Sequence, residues 1–273
     1  MRINTNINSM RTQEYMRQSQ EKMNTAMNRL SSGKRINSAA DDAAGLAIAT
    51  RMRARESGLA KATQNTQDGM SLIRTAESAL GSISNILTRM RDLAVQSANG
   101  VNNTDNQTAL DNEFKSLQDQ IDYVSTNTEF NGKKLLNGDS TIAIETLDSD
   151  DAAQQITVDL KLSNAEKLTV KRDDVKIDTT AEALKAVKAV DGALAIVATN
   201  RAGLGATLNR LGFNVENLNS QSTNMASSAS QIEDADMAKE MSEMTKFKIL
   251  NEAGISMLSQ ANQTPQMISK LLQ

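Results

Sequence analysis

Hydrophobic side chains recur along most of this chain at alternating spacings of three and four, the period of a helix that buries one stripe and exposes the rest. The cleanest run, Ile73, Ala76, Leu80, Ile83, Leu87, Met90 and Ala94, predicts a coiled-coil face on a helix that extends to Asn99. Ser38 and Asp41 have capping-box spacing and Asp42 adds to an acidic first turn, so this helix starts there. At 1.5 Å per residue it is a rod of roughly 90 Å. Asn99-Gly100 stops the rod, and Thr104 with Gln107 caps a second helix whose stripe is Leu110, Phe114, Leu117, Ile121 and Val124. A short connection predicts that this helix folds back antiparallel on the first. Phe130-Asn131-Gly132 closes it.

The hydrophobic period then changes to two. Ile142 and Ile144, then Ile156, Val158, Leu160 and Leu162, then Leu168 and Val170 alternate with polar residues, as half-buried strands do. Nine Asp/Glu against five Lys/Arg between Ser140 and Thr180 make this strand-and-turn region acidic and, by expectation, solvent-facing. Thr179 and Glu182 form a capping box that opens the longest stripe: Val187, Val190, Leu194, Val197, Arg201, Leu204, Leu208, Leu211, Val215 and Leu218. Arg201, its one polar member, can pack its stem and keep its head in water. The stripe weakens through Ser222, Met225, Ala229 and Ile232.

The two ends carry thinner stripes. Ile3, Ile7, Met10, Met16, Met23, Met27 and Leu30 mark an N-terminal helix that Ser31-Ser32-Gly33 ends, with Gly33 as a left-handed cap and Lys34 to Asn37 as a connector. At the other end Ser230 is placed as an N-cap with Glu233 reaching back to it, and Glu233, Asp234 and Asp236 suit the positive end of the helix dipole. Met237, Met241, Met244, Phe247, Leu250, Gly254, Met257 and Ala261 follow, and Met267, Ile268, Leu271 and Leu272 keep the helix apolar to its end. Terminal segments usually fray and are polar. This one requires a cover: a helix of the same chain, of another copy, or both. The fold class that follows is mainly α: long antiparallel helical rods in a coiled-coil bundle, with a small β-strand and turn region mid-chain. The expected divisions are 1–44, 45–137, 138–178, 179–229 and 230–273, in near-palindromic order.

Composition narrows the function. Aromatics are 2% of 273 residues, with 14 Met, no Trp and one Pro, which suits long thin helical layers better than a compact core built on rings. The chain has no Cys and no His, so thiolate chemistry, disulfides, and the commonest general base and metal ligand are all missing. Asp41-Asp42 and Asp150-Asp151 are paired carboxylates, but the first suits a helix start and the second a solvated turn. No catalytic, cofactor or metal site is expected. A net charge of -3 and the lack of aromatic platforms argue against nucleic acid. The first ten residues contain no apolar core of a Sec-type signal, and no apolar run reaches membrane-span length, so no membrane insertion is expected. Charge is uneven: residues 1–35 carry seven bases against two acids, and residues 231–273 four bases against six acids. Opposite signs on the two ends favour their pairing.

Particular runs of residues add a resemblance. Leu30 to Ala49 (LSSGKRINSAADDAAGLAIA), Arg91 to Asn99 (RDLAVQSAN), Phe130-Asn131-Gly132, Asn200 to Ala206 (NRAGLGA), Ile232 to Asp236 (IEDAD) and Gln260 to Gln263 (QANQ) closely resemble bacterial flagellin. The resemblance covers everything except Gly138 to Asp178, which matches the variable part of the family. It implies a structural protein of the extracellular bacterial flagellum that is exported unfolded through the flagellar type III channel and self-assembles into a helical filament for motility. The terminal stripes (Ile3, Ile7, Met10, Met16, Met23, Met27 and Leu30; Met237, Met241, Met244, Phe247, Leu250, Met257, Leu271 and Leu272) become polymerisation contacts of the inner tube. The implied partners are other copies, the export chaperone at the C-terminal helix, the filament cap and the hook-associated proteins. A host innate immune receptor, Toll-like receptor five, is a further implied partner, with the epitope positions falling on Arg89, Leu93 and Glu113 and with Gln96 beside them. Arg89 and Leu93, four apart, are expected on one face. The rival readings are a hook-filament junction protein and an intracellular coiled-coil scaffold. An enzyme is not expected, because the zinc protease inserted in some family members needs two His.

Overall fold

The computed structural model describes residues 6–147, 155–172 and 174–271, with side chains described as far as Gln263. Among the described residues five helices and four short strands follow in order: α1 (Ile7–Ser32), α2 (Ala43–Ser97), α3 (Thr104–Asn127), β1 (Glu129–Phe130), β2 (Lys133–Lys134), β3 (Ser140–Ile144), β4 (Ile156–Leu160), α4 (Thr180–Glu233) and α5 (Met237–Leu271). The chain divides into two units: residues 1–56 with 223–273, and residues 57–222.

The core of the 57–222 unit is the α2 stripe read from the sequence. Ile73, Ala76, Ile83, Leu87, Met90 and Ala94 are fully buried and Leu80 nearly so, because each faces α3 or α4 once per three or four residues. Phe114 and Ile121 of α3 close the stripe, and Leu110, Leu117 and Val124 flank it. The α2–α3 turn is antiparallel as predicted. Gln107 donates to the Ser97 carbonyl at 3.2 Å, and Arg89 meets Glu113 at 2.7 Å further along. Between α2 and α4, ion pairs Arg91–Asp191 (2.7 Å) and Arg201–Glu77 (3.5 Å) step in opposite directions along the two helices, so these are antiparallel too. Arg201 is exposed with its head on Glu77.

Several expectations need correction. On α4 the buried line begins one turn earlier than predicted, at Ala183, and replaces Val187 and Leu194 by the residues just before them. Ala183, Ala186, Val190, Ala193 and Val197 face the core, while Val187 and Leu194 are half-buried, since the small Ala side chains let the helix sit close. The helix starts also move. Ser38 does not cap α2: the Asp41 carboxylate does reach back to the N–H and hydroxyl of Ser38, and to the N–H of Asn37, but it closes a separate turn, and Asp42 caps the helix through Gly45 N–H at 2.9 Å. Asn103, not Thr104, caps α3 through Asn106 N–H, while Thr179 caps α4 as read. Phe130-Asn131-Gly132 is not the end of α3, which stops at Asn127; it is the tip of the β1–β2 hairpin, with positive φ at Asn131 (49°) and Gly132 (76°).

The central region is β3 paired antiparallel with β4, from Ser140↔Leu160 to Ile144↔Ile156. It is not simply solvent-facing: Ile144, Val158 and Leu160 enter the same core as the rods. Leu168 and Val170 form no strand. They are buried in a turn in which Thr169 has φ of 59°, because α3 side chains capture the backbone here. Asp111 accepts Ile177 N–H, Gln118 donates to the carbonyls of Val170 and Val175, Asp122 accepts Ala165 N–H, and Ser125 donates to the Leu136 carbonyl. These four lie along one face of α3 and replace the ladder a strand would need. Asp150-Asp151 lies outside the described residues.

In the 1–56 and 223–273 unit, Gly33 caps α1 with the left-handed backbone expected, its N–H on the Arg29 carbonyl at 2.9 Å. The C-terminal helix does not begin at Ser230. Asp234 N–H still reaches the Ser230 carbonyl, so Ser230 and Glu233 finish α4, and Asp236 caps α5 through Ala238 and Lys239 N–H. The connector after α1 closes on this break: Arg35 N–H donates to the Glu233 carbonyl at 2.7 Å and Ala235 N–H to the Gly33 carbonyl at 2.9 Å. Ile36 is buried beneath it with Ala49 and Ala229.

Candidate polymerisation surface

α1 and α5 lie antiparallel, and the contacts between them stay in step over their length. Asn6 donates to the Ala261 carbonyl at 2.8 Å, Asn251 to Gln20 at 2.6 Å, and Lys22 sits over the Phe247 ring at 5.6 Å. The seam on α1 is Ser9, Thr12, Met16, Ser19, Met23, Ala26 and Leu30; that on α5 is Glu240, Met244, Phe247, Asn251, Gly254, Leu258 and Ala261. Both run in unbroken threes and fours, but more than half of the members are small or polar. Gly254 allows the closest approach, since a Cβ there would stand 2.7 Å from Met16 Cγ.

The predicted terminal residues therefore split. Met16, Met23, Leu30, Met244 and Phe247 turn toward the partner helix and are half-buried. Ile7 (52% exposed), Met10 (62%), Met27, Met237, Met241, Leu250 and Met257 (64%) do not. Tyr15, Ile249 and Ile255, which the stripe reading missed, are exposed as well. These side chains flank the seam on both sides instead of forming one stripe. An open groove of about 430 Å³ lies between the helices, lined by Tyr15, Met16, Phe247, Leu250 and Met257. Ile3, Leu272 and the Leu271 side chain lie outside the described residues. The same surface is charged at its edge: hydrogen bonds from Arg17 and then Gln18 hold the Glu14 carboxyl below the usual glutamate range.

Two buried carboxylates at the neck of this pair were not foreseen as such. Glu233 is 8% exposed and meets Lys34 at close range and Arg53 at 3.5 Å; Glu240 is 6% exposed and meets Arg29 at 3.4 Å. The signal was present, since Glu240 continues the three-four spacing of the α5 seam.

The receptor positions fall in two environments. Arg89 and Glu113 form an exposed, doubly hydrogen-bonded pair, and Gln96 is exposed further along α2. Leu93 is fully buried in the core, so the expectation that it shares an accessible face with Arg89 is corrected. Four residues apart places two side chains near one another; which of them meets solvent depends on α3 and α4.

Two family models match the chain, the bacterial flagellin N-terminal helical region over residues 3–141 and the bacterial flagellin C-terminal helical region over residues 187–272. The chain belongs to the bacterial flagellin family. Residues 142–186, which include β4 and the pinned turn, fall between the two matches. The chain is 46% identical to a flagellin of Listeria innocua and 42% identical to one of Bacillus subtilis, each over 100% of this chain and 99% or more of the relative. The crystal structure of Bacillus cereus flagellin is similar with a TM-score of 0.50 and 38% identity, covering 61% of this chain and 94% of that one. A structure described as a flagellar hook-associated protein of Vibrio parahaemolyticus shares the fold at a TM-score of 0.61 over 71% of this chain and 100% of that one. Its 17% identity speaks to fold alone. Membership makes the chain a structural subunit of the flagellar filament, not an enzyme. Among the described residues no helix is long and apolar enough to cross a membrane.

Proposed function

We propose that the apolar residues flanking the α1–α5 seam are the surface by which copies of this chain cover one another in the filament. The observation that carries the reading is that Ile7, Met10, Met27, Met237, Met241, Leu250 and Met257 stay exposed after the two helices have already paired. Large apolar side chains left exposed on two helices that have already paired mark an interaction site. A contact between different surfaces of identical copies propagates as a helical polymer when its rotation does not close into a ring. The half-buried Met16, Met23, Leu30, Met244 and Phe247 act one step back, by holding the pair together. Before assembly the exposed face of α5 is covered by the export chaperone, and after export the filament cap and hook-associated proteins meet the same helices. The test is removal of residues 1–30 or 240–273. Each truncation is expected to remain soluble with the 57–222 unit folded and to fail to extend seeds in electron microscopy; normal filaments from either would overturn the proposal.

Recognition of the monomer by Toll-like receptor five is a second reading, supported by the exposed Arg89–Glu113 pair with Gln96 nearby. Leu93 supports that surface from beneath. Replacing Arg89 and Glu113 together by Ala is expected to reduce receptor signalling by the monomer without unfolding it. Undiminished signalling would remove this reading.

A further inference from the structure

The seam between α1 and α5 discriminates poorly among alignments. Ser9, Thr12, Ser19 and Ala26 on α1 and Asn251, Gly254 and Ala261 on α5 are small or polar members of the seam, and of the described α1 residues only Ala26 is buried outright. Apart from Met16 against Gly254, these small and polar members give up little packing when the helices move by one turn. The apolar flanks add attraction without direction. Something else must hold the helices in step.

The neck supplies it. Glu240 and Glu233 are buried carboxylates, and a buried charge is tolerated only beside a partner. Arg29 reaches Glu240 at 3.4 Å, while Lys34 and Arg53 converge on the two oxygens of Glu233. A slip of one turn would bring Thr25 and Ala26, or Ser32 and Gly33, to the place of Arg29, and none of these carries a charge. The pairing is also imperfect: Arg29 Nε and Glu240 Oε2 are buried without a hydrogen-bond partner. A pair that is buried yet incompletely satisfied is a weak source of stability, and its best-attested use is to specify register against alternatives. We propose that Arg29–Glu240, backed by the Lys34–Glu233–Arg53 cluster, determines the register in which α5 accepts α1. The cluster ties that register to the connector, because the Glu233 carbonyl also accepts Arg35 N–H.

The chain has no Cys, so an introduced pair reports alone. Met16→Cys with Gly254→Cys reports the observed register, and Met16→Cys with Leu258→Cys reports a shift of one turn. Intrachain disulfide formation under mild oxidation is read on non-reducing gels, in dilute full-length protein and in seeded filaments. The readout is intramolecular, so a variant that does not assemble is still measured, and the outcome is separate from the polymerisation proposal. With native charges the 16/254 pair is expected to cross-link and the 16/258 pair to lag. Glu233→Gln with Glu240→Gln should raise the shifted cross-link relative to the in-step one by about tenfold or more. Glu240→Arg alone should abolish in-step cross-linking, and adding Arg29→Glu should restore it. The proposal is overturned if the neutralised chain keeps the native preference, if the charge swap does no better than Glu240→Arg, or if the 16/254 pair fails with native charges.

Discussion

Leu250→Ala separates the filament contacts from the fold. Leu250 keeps 46% of its surface exposed on α5. Removing its three outer carbons gives up about 2.4 kcal/mol of burial at about 0.8 kcal/mol per carbon. Because nearly half of that surface is still open in the single chain, about 1 kcal/mol of it is gained only when other copies cover the helix. Each 1.4 kcal/mol is a factor of ten in an association constant, so the critical concentration for assembly should rise about fivefold. The 57–222 unit does not contain Leu250, so its urea midpoint should stay where it is. Sedimentation of seeded filaments at graded protein concentration measures the first quantity, and circular dichroism in urea the second. An unchanged critical concentration would mean that Leu250 faces solvent in the filament. A lowered midpoint would mean that α5 supports the rods, and either result refutes the reasoning.

Three further outcomes are expected. Leu87→Ala, at a fully buried position of the α2 stripe, should cost the 57–222 unit about 2–5 kcal/mol, seen as a lower urea midpoint. Asp111→Ala removes the acceptor of the buried Ile177 N–H, 3.0 Å away, and should cost about 1–3 kcal/mol with loss of hydrogen-exchange protection at Ile177. Asp41 is held below the usual aspartate range, first by the Ser38 N–H, then by the Ser38 hydroxyl and the Asn37 N–H. A depressed carboxyl stabilises the turn above its unfolded pKa and loses that effect as pH falls through the folded one. The Ser38 amide should therefore stay protected at neutral and mildly acidic pH and open only below the ordinary aspartate range, whereas Asp41→Asn should open it at neutral pH.

Much of the architecture was legible because a long helix repeats its message. The α2 stripe, the fold-back of α3, the Gly33 cap and the β3–β4 alternation each rest on several residues that agree. The misplacements came where one residue type serves two purposes. Ser38, Asp41 and Asp42 are all acceptable caps, and the choice fell to whichever carboxylate faced Gly45 N–H. Leu168 and Val170 alternate as a strand would, yet alternation records only that every second side chain is buried. Here Gln118 and its neighbours on α3 hold the backbone in a turn. The terminal seam was misread because large apolar residues drew the eye from Ser, Thr, Gly and Asn, which keep the three-four spacing better.

By itself the sequence determined the helical class, the helix order, the need of both ends for a cover, and, through specific runs of residues, the flagellin resemblance. These follow from local spacing and composition, which any extended stretch carries within itself. Only the tertiary structure decided which apolar residues face the partner helix and which remain open to other copies, that Leu93 is interior while Arg89 is not, and that Glu233 and Glu240 are buried against Arg29, Lys34 and Arg53. The last of these pairings joins residues some two hundred positions apart. Helical periodicity says that a side chain has a face, but what stands opposite that face is set by a distant segment, and burial and charge pairing are properties of both.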